Sequence, residues 1–331
     1  MNLLNLEPTK IAKDLSGNSF LIFGNPKSGK STLAAQYPDP LFLLTEKGLT
    51  ALPGVYAQPI NNWGEFRAIV NELQKDSVRE RYQTIVIDTL PNLIEMLDLY
   101  IGAQLSDEKK TYRYASDVEF AKGTIRMSKE LNEQLQKLAR KGYIFVGISH
   151  AEEKTHFQTR ETMMSTSLDK RSTLIVDRFV DHILFLDNIQ LKDGSVERRL
   201  YFRGTERFKA GSRFKYVPQY CLATWEVLEK TLLEAIEKQE AETPGSITDK
   251  SKSEIEHDLE RNVEYNFDAL KTEFQELASK LVAEDPSNSA RIADIVTAEL
   301  GPGRKVANLT KAQAELLFVI INNLKEEFKI N

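Results

Sequence analysis

The chain has 331 residues, 41% of them hydrophobic, and a formal net charge of −5, enough length for one large core and a smaller second unit. Its single cysteine, Cys221, excludes an intrachain disulfide framework and a cysteine-cluster zinc site, and four scattered histidines signal no metal centre. The first twenty residues lack the apolar run of a secretory leader or the Arg-rich pattern of a transit peptide, and no segment is apolar enough to span a membrane, so a reducing cytoplasm is the expected setting.

Through residue 150, short apolar runs alternate with helical patterns, which predicts βαβ units and a mostly parallel sheet. "FLIFG" (20–24) is a buried strand ending in glycine, "GKSTLAAQY" a helix, and "LFLLT" (41–45) the next strand. Asn62 and Glu65 have capping-box spacing at the start of an amphipathic helix. "TIVIDTL" (84–90) predicts a third strand, helices fill 91–141, and "YIFVGIS" (143–149) is a fourth strand. "DHILFLDN" and "RRLYFRG" flank an Asp-Gly turn, so the sheet is expected to end in an antiparallel hairpin, followed by a helix near 222–240. The polar stretch around Pro244 and Gly245 predicts a linker, with three amphipathic helices beyond it; Thr310 and Gln313 have capping-box spacing before the last. The expected domains are therefore 1–238, a flexible acidic linker at 239–262, and a helical unit at 263–331.

Charge is distributed unevenly. Residues 234–262 carry nine acids against four bases, whereas 198–215 carry seven bases against Glu206 alone. The basic run "RFKAGSRFKY" (207–216) is thus compatible with a polyanionic partner despite the acidic total.

The chemistry concentrates at strand ends. Gly24, Asn25, Pro26, Lys27, Ser28, Gly29, Lys30, Ser31 and Thr32 satisfy G-x-x-x-x-G-K-[ST] directly between a strand and a helix. In such a loop the backbone amides cradle phosphates, Lys30 bridges the β- and γ-phosphates of ATP, and the Ser31 hydroxyl ligates Mg²⁺. Asp88, ending "TIVID", supplies the acidic partner of the metal or, alternatively, caps the following helix. Glu46, after "LFLLT", is the candidate that orients the attacking water, against an ordinary exposed loop glutamate. His150, ending "VGISH", either senses the γ-phosphate or is a satisfied polar strand end. Two irregular stretches carry candidate DNA contacts: 106–116, with Lys109, Lys110, Tyr112 and Arg113, and 151–172, with Lys154 and Arg160. Cations interleaved with rings suit a sequence-tolerant single-strand surface, and a solvated loop is the plainer alternative.

The loop at Gly24 to Thr32, "TE" at 45–46, "TIVIDT", "GISH" and "KAGSRF", in this order, resemble the phage P-loop nucleotide-binding proteins of RecA-like fold, the group of phage single-strand annealing ATPases. The resemblance covers about residues 15–225. It implies that Glu46 polarises the hydrolytic water and that His150 couples nucleotide state to the segment after it. It also implies that Lys209 with Arg213 and Phe214, separated by "AGS", stand for a Lys-Asn-Arg-Phe motif associated with nucleotide-dependent action on DNA. The helical tail is similar to those of phage recombination proteins, which engage single-strand binding protein or an exonuclease. The expected protein is a Mg²⁺-dependent ATPase of the host bacterial cytoplasm that binds single-stranded DNA as a homo-oligomeric ring or filament and promotes annealing. Arg213, with Lys209, would then reach a neighbour's ATP or contact DNA, unless Phe202, Phe208 and Phe214 are core residues and the arginines only solvate the hairpin. A small-acceptor P-loop kinase and a nucleotide-gated adaptor are the competing classes.

Overall fold

The computed structural model describes residues 8–46, 52–155, 162–259 and 265–330. In chain order the strands are β1 (Ile11–Ala12), β2 (Ser19–Gly24), β3 (Pro40–Leu44), β4 (Tyr56–Pro59), β5 (Thr84–Asp88), β6 (Ile144–Thr155), β7 (Thr162–Thr166), β8 (His182–Gln190), β9 (Val196–Tyr201), β10 (Gly211–Ser212), β11 (Tyr220–Leu222) and β12 (Ile247–Thr248). The α-helices are α1 (Lys30–Ala34), α2 (Trp63–Glu72), α3 (Asp76–Arg81), α4 (Leu90–Gln104), α5 (Lys122–Arg140), α6 (Lys170–Phe179), α7 (Trp225–Glu242), α8 (Lys252–Leu259), α9 (Phe267–Glu284), α10 (Asn288–Leu300) and α11 (Ala314–Glu327).

The main sheet runs β11-β9-β8-β2-β6-β5-β3-β4. From β8 to β4 the pairings are parallel, and β9 and β11 extend the sheet antiparallel beyond β8. Burial explains the order: every residue of β2 and β5 is buried, whereas every residue of β4 is exposed, as an edge strand must be. Alternate residues serve opposite faces. Leu21, Leu43, Ile85 and Ile87 pack with α2, α4 and α5, while Phe20, Ile22, Phe42 and Val86 pack with α1 and α7. This is the α/β, RecA-like P-loop fold expected, with its terminal antiparallel hairpin β8–β9. The Asn62 cap is also present, its Oδ1 accepting from the Glu65 amide.

Two expectations need correction. The described residues of the stretch 151–172 are not irregular: β6 continues to Thr155 and pairs antiparallel with β7, and α6 follows from Lys170. Its ladder satisfies backbone groups without any apolar alternation, which is why periodicity missed it. The acidic linker is likewise structured. β12 pairs in parallel with β1, and Lys252 of α8 forms an ion pair with buried Asp181. The chain divides into compact units at 260/261, within the span expected to be the linker. The expected Thr310–Gln313 capping box is present, on a short 3₁₀ turn that leads into α11.

The second unit, by itself, packs α9, α10 and α11 around Leu281, Ile292, Leu300, Leu317, Ile320, Ile321 and Leu324. No helix among the described residues is long and apolar enough to cross a membrane.

Candidate active site

Residues 24–29 form the turn from β2 into α1. Gly24 has no room for a side chain, because a Cβ there would lie 2.4 Å from the Leu186 carbonyl oxygen of β8. Gly29 caps α1 at φ 104°, in the left-handed region that glycine enters without steric cost. Asn25, Pro26 and Lys27 are exposed, while Ser28 and Lys30 are buried. Lys30 Nζ donates to the carbonyls of Gly24 at 3.0 Å and Asn25 at 2.8 Å. Burial pulls its pKa below the usual lysine value, against the attraction of Asp88 and Glu46.

Ser31 Oγ donates to Asp88 Oδ2 at 2.7 Å, whereas Thr32 lies exposed on α1. Asp88 ends β5, one strand removed from the loop strand, with β6 between them. Burial raises its pKa and Glu46 adds to the rise, while Ser31 and Lys30 oppose it. Thr45 clasps the end of β5: its Oγ1 donates to the Thr89 carbonyl and accepts from the Thr89 amide, both at 2.8 Å. That clasp holds Glu46 beside Asp88. Glu46 Oε1 lies 3.6 Å from His150 Nε2, and Asn92 Nδ2 donates to Glu46 Oε2 at 3.3 Å.

The residues fit a Mg²⁺-bound nucleotide. Ser28 Oγ and His150 Nδ1 are buried polar atoms without a partner among the described residues, and such atoms in a site call for a ligand or ordered water. Ser31 and Asp88 present hard oxygen donors to one point, the chemistry that Mg²⁺ requires. Residues 16–214, from just before β2 to Phe214, match the AAA domain model.

The chain belongs to the AAA domain family. It is a P-loop NTPase, and nucleotide binding, typically with Mg²⁺, accompanies that domain. The SPbeta prophage-derived uncharacterized protein YorG of Bacillus subtilis (strain 168) is 28% identical over 335 residues, covering 98% of each chain. Among solved structures, the KaiC-like protein PH0186 from the archaeon Pyrococcus horikoshii OT3 is similar at 15% identity with a TM-score of 0.34, covering 57% of this chain and 80% of that one.

The structure brings Lys30, Ser31, Glu46, Asp88 and His150 of the AAA domain together and sets the other candidates elsewhere. Lys109 and Lys110 donate their amides to Asp107 Oδ1, and the Lys110 ammonium pairs with Glu119. Lys154 Nζ donates to the Leu168 carbonyl at 2.6 Å. Arg160 lies outside the described residues. Lys209 pairs with Asp177 of α6, and Arg213 pairs with Asp181 at 3.2 Å while donating to the Arg178 carbonyl. In its own chain the basic run is therefore a strap joining α6 to the start of β8. Sequence reasoning missed Asn92, which the helix pattern after β5 hides, and Arg198, whose place depends on hairpin register.

Proposed function

We propose that the chain hydrolyses Mg²⁺-bound ATP to drive its assembly, as a ring or filament, on single-stranded DNA, where it promotes annealing or strand pairing. The observation that carries the hydrolytic part is the hydrogen bond of Ser31 to Asp88 and the approach of Glu46 to His150 at the C-terminal ends of parallel strands. The metal neutralises phosphate charge when bound. Lys30 holds the phosphates, Glu46 orients and polarises the attacking water, and Asn92 and His150 fix the Glu46 carboxylate. His150 also adjoins the β6–β7 ribbon, since its carbonyl accepts from the Ser167 amide at 3.0 Å. This gives nucleotide state a route into that ribbon.

DNA binding is supported by exposed cations set against half-buried rings. Lys110 Nζ lies 5.3 Å from the Tyr112 ring centre and Arg113 Cζ lies 5.1 Å from that of Tyr114, an arrangement that suits phosphates and stacked bases. The Bacillus subtilis relative is prophage-derived, which agrees with a phage-type protein of the bacterial cytoplasm. The C-terminal helical unit would recruit single-strand binding protein or an exonuclease.

The test is ATP turnover with and without single-stranded DNA over a protein concentration series. Turnover should rise with DNA and cooperatively with protein. Glu46→Gln should retain nucleotide binding while losing about a hundred-fold or more in rate. DNA-indifferent turnover that is linear in protein rejects the DNA-driven assembly, and a phosphorylated small acceptor reassigns the chain to the kinases.

A further inference from the structure

The β8–β9 hairpin reaches past the end of β2. Gly24 is in register with Leu186, and Arg198 is opposite Asn188, two residues further along β8. Arg198 therefore stands about 7 Å beyond the strand end, at the height of the phosphate loop. Its guanidinium lies against Gly29: a Cβ on that glycine would be 3.3 Å from Nη1, 3.4 Å from Cζ and 3.6 Å from Nε of Arg198. Its neighbours do not occupy it. Glu197 pairs with Arg199 at 2.6 Å, and Arg199 lies over the Tyr220 ring. Among the described residues, no carboxylate or carbonyl accepts from the Arg198 side chain.

The fixed charge of the site shows what a free guanidinium does there. Lys30 faces two carboxylates, Asp88 and Glu46, and directs its ammonium at two carbonyls of its own loop. These three groups sum to a negative charge where an anionic nucleotide must sit, and the loop's other cation, Lys27, is exposed. A guanidinium beside the loop offsets this and offers a planar fork that matches phosphate oxygens.

We propose that Arg198 is a second phosphate-binding cation, acting from the hairpin of the same chain on the nucleotide held by the phosphate loop. The proposal rests on the nucleotide-binding reading above and adds a residue to it. The variant should fold, because Arg198 is exposed and its strand neighbours make their own contacts.

The experiment is titration of a fluorescent ATP analogue, with inorganic tripolyphosphate as competitor, on the full chain. Arg198→Gln should weaken both probes by about ten- to a hundred-fold, the value of a charge-assisted hydrogen bond. Arg198→Lys should recover part of the loss, and Lys192→Gln, an exposed cation in the same hairpin, should change neither. Undiminished tripolyphosphate binding by Arg198→Gln overturns the proposal. That includes the case in which only the ATP analogue weakens, which puts the guanidinium on the base or ribose. If Arg198→Gln does not fold, Arg198→Lys decides alone: affinity for tripolyphosphate equal to wild type overturns the proposal, and a partial loss supports it. If wild-type protein binds neither probe, the nucleotide-binding reading fails, and the proposal fails with it.

Discussion

His182 has no exposed surface and stacks on Phe20 at 4.8 Å, with Phe214 edge-on at 4.9 Å and Ser212 Oγ 2.9 Å from its Nδ1. Burial pushes its pKa down to about 4; Asp181 opposes the shift, and Lys252 and Arg213 add to it. The folded protein therefore holds a neutral ring near pH 7, and the unfolded chain takes up a proton near the ordinary histidine value. Between those two values the unfolded state binds more protons, so stability that is fully present above about pH 6.5 is lost as pH falls toward 4. The loss amounts to about 3 kcal/mol. Urea denaturation at pH 7 and pH 4.5 should show wild type losing more stability than His182→Gln over that interval. Equal losses would remove His182 from the acid response. Burial raises the Asp181 carboxyl, but Lys252, His182 and Ser19 overcome this and hold it below its usual value. Its contribution disappears only below the ordinary carboxylate range, outside the interval from pH 7 to pH 4.5.

At the scale of elements, Asp181 is where four segments meet. It accepts from the Ser19 amide and hydroxyl of β2, from Arg213 of the strap and from Lys252 of α8, and it directly precedes β8. Removing Lys252 leaves the buried Asp181 with the half-exposed Arg213 as its remaining cation, so Lys252→Ala should cost about 3 kcal/mol, the low end for breaking a buried pair. A urea midpoint for Lys252→Ala within error of wild type would mean that α8 is only loosely attached. The same elements show what was legible in advance. Strands β2, β3, β5 and β6 declared themselves as apolar runs, and because ligands gather at the ends of such strands, Lys30, Ser31, Glu46, Asp88 and His150 could be named from spacing alone. β4, "YAQP", is wholly exposed and carries no apolar signature. β7 and β12 exist through pairing with β6 and β1, contacts between segments far apart in sequence that no local pattern encodes. Arg198 was hidden for the same reason, since only the hairpin register places it over Gly29.

At the scale of the whole molecule, the sheet separates the two basic features of the hairpin region. Arg198 stands at the phosphate-loop end, whereas the strap joins β8 at its start: Ser212 is in register with His182, and His182 with Phe20. Phe20 lies four residues before Gly24, so Arg213 is about 13 Å or more from its own loop along the strand direction. A guanidinium at that end can serve a nucleotide only in another copy, which is the arrangement of the proposed ring or filament. The two candidate roles of Arg213, clamp on Asp181 and finger for a neighbour, separate by mixing variants. Lys30→Ala lacks its own phosphate-binding lysine, and Arg213→Ala lacks the finger, so each alone should be inactive. Equal mixtures form some interfaces in which Lys30 of one copy meets Arg213 of the next, and random pairing should restore about a quarter of wild-type turnover. Arg213→Lys, which preserves a cation for Asp181, should match wild type in stability and still lack full turnover, because a lysine cannot fork onto a phosphate. If no mixing ratio restores turnover while the Arg213→Ala protein is folded and binds nucleotide, Arg213 is confined to the clamp.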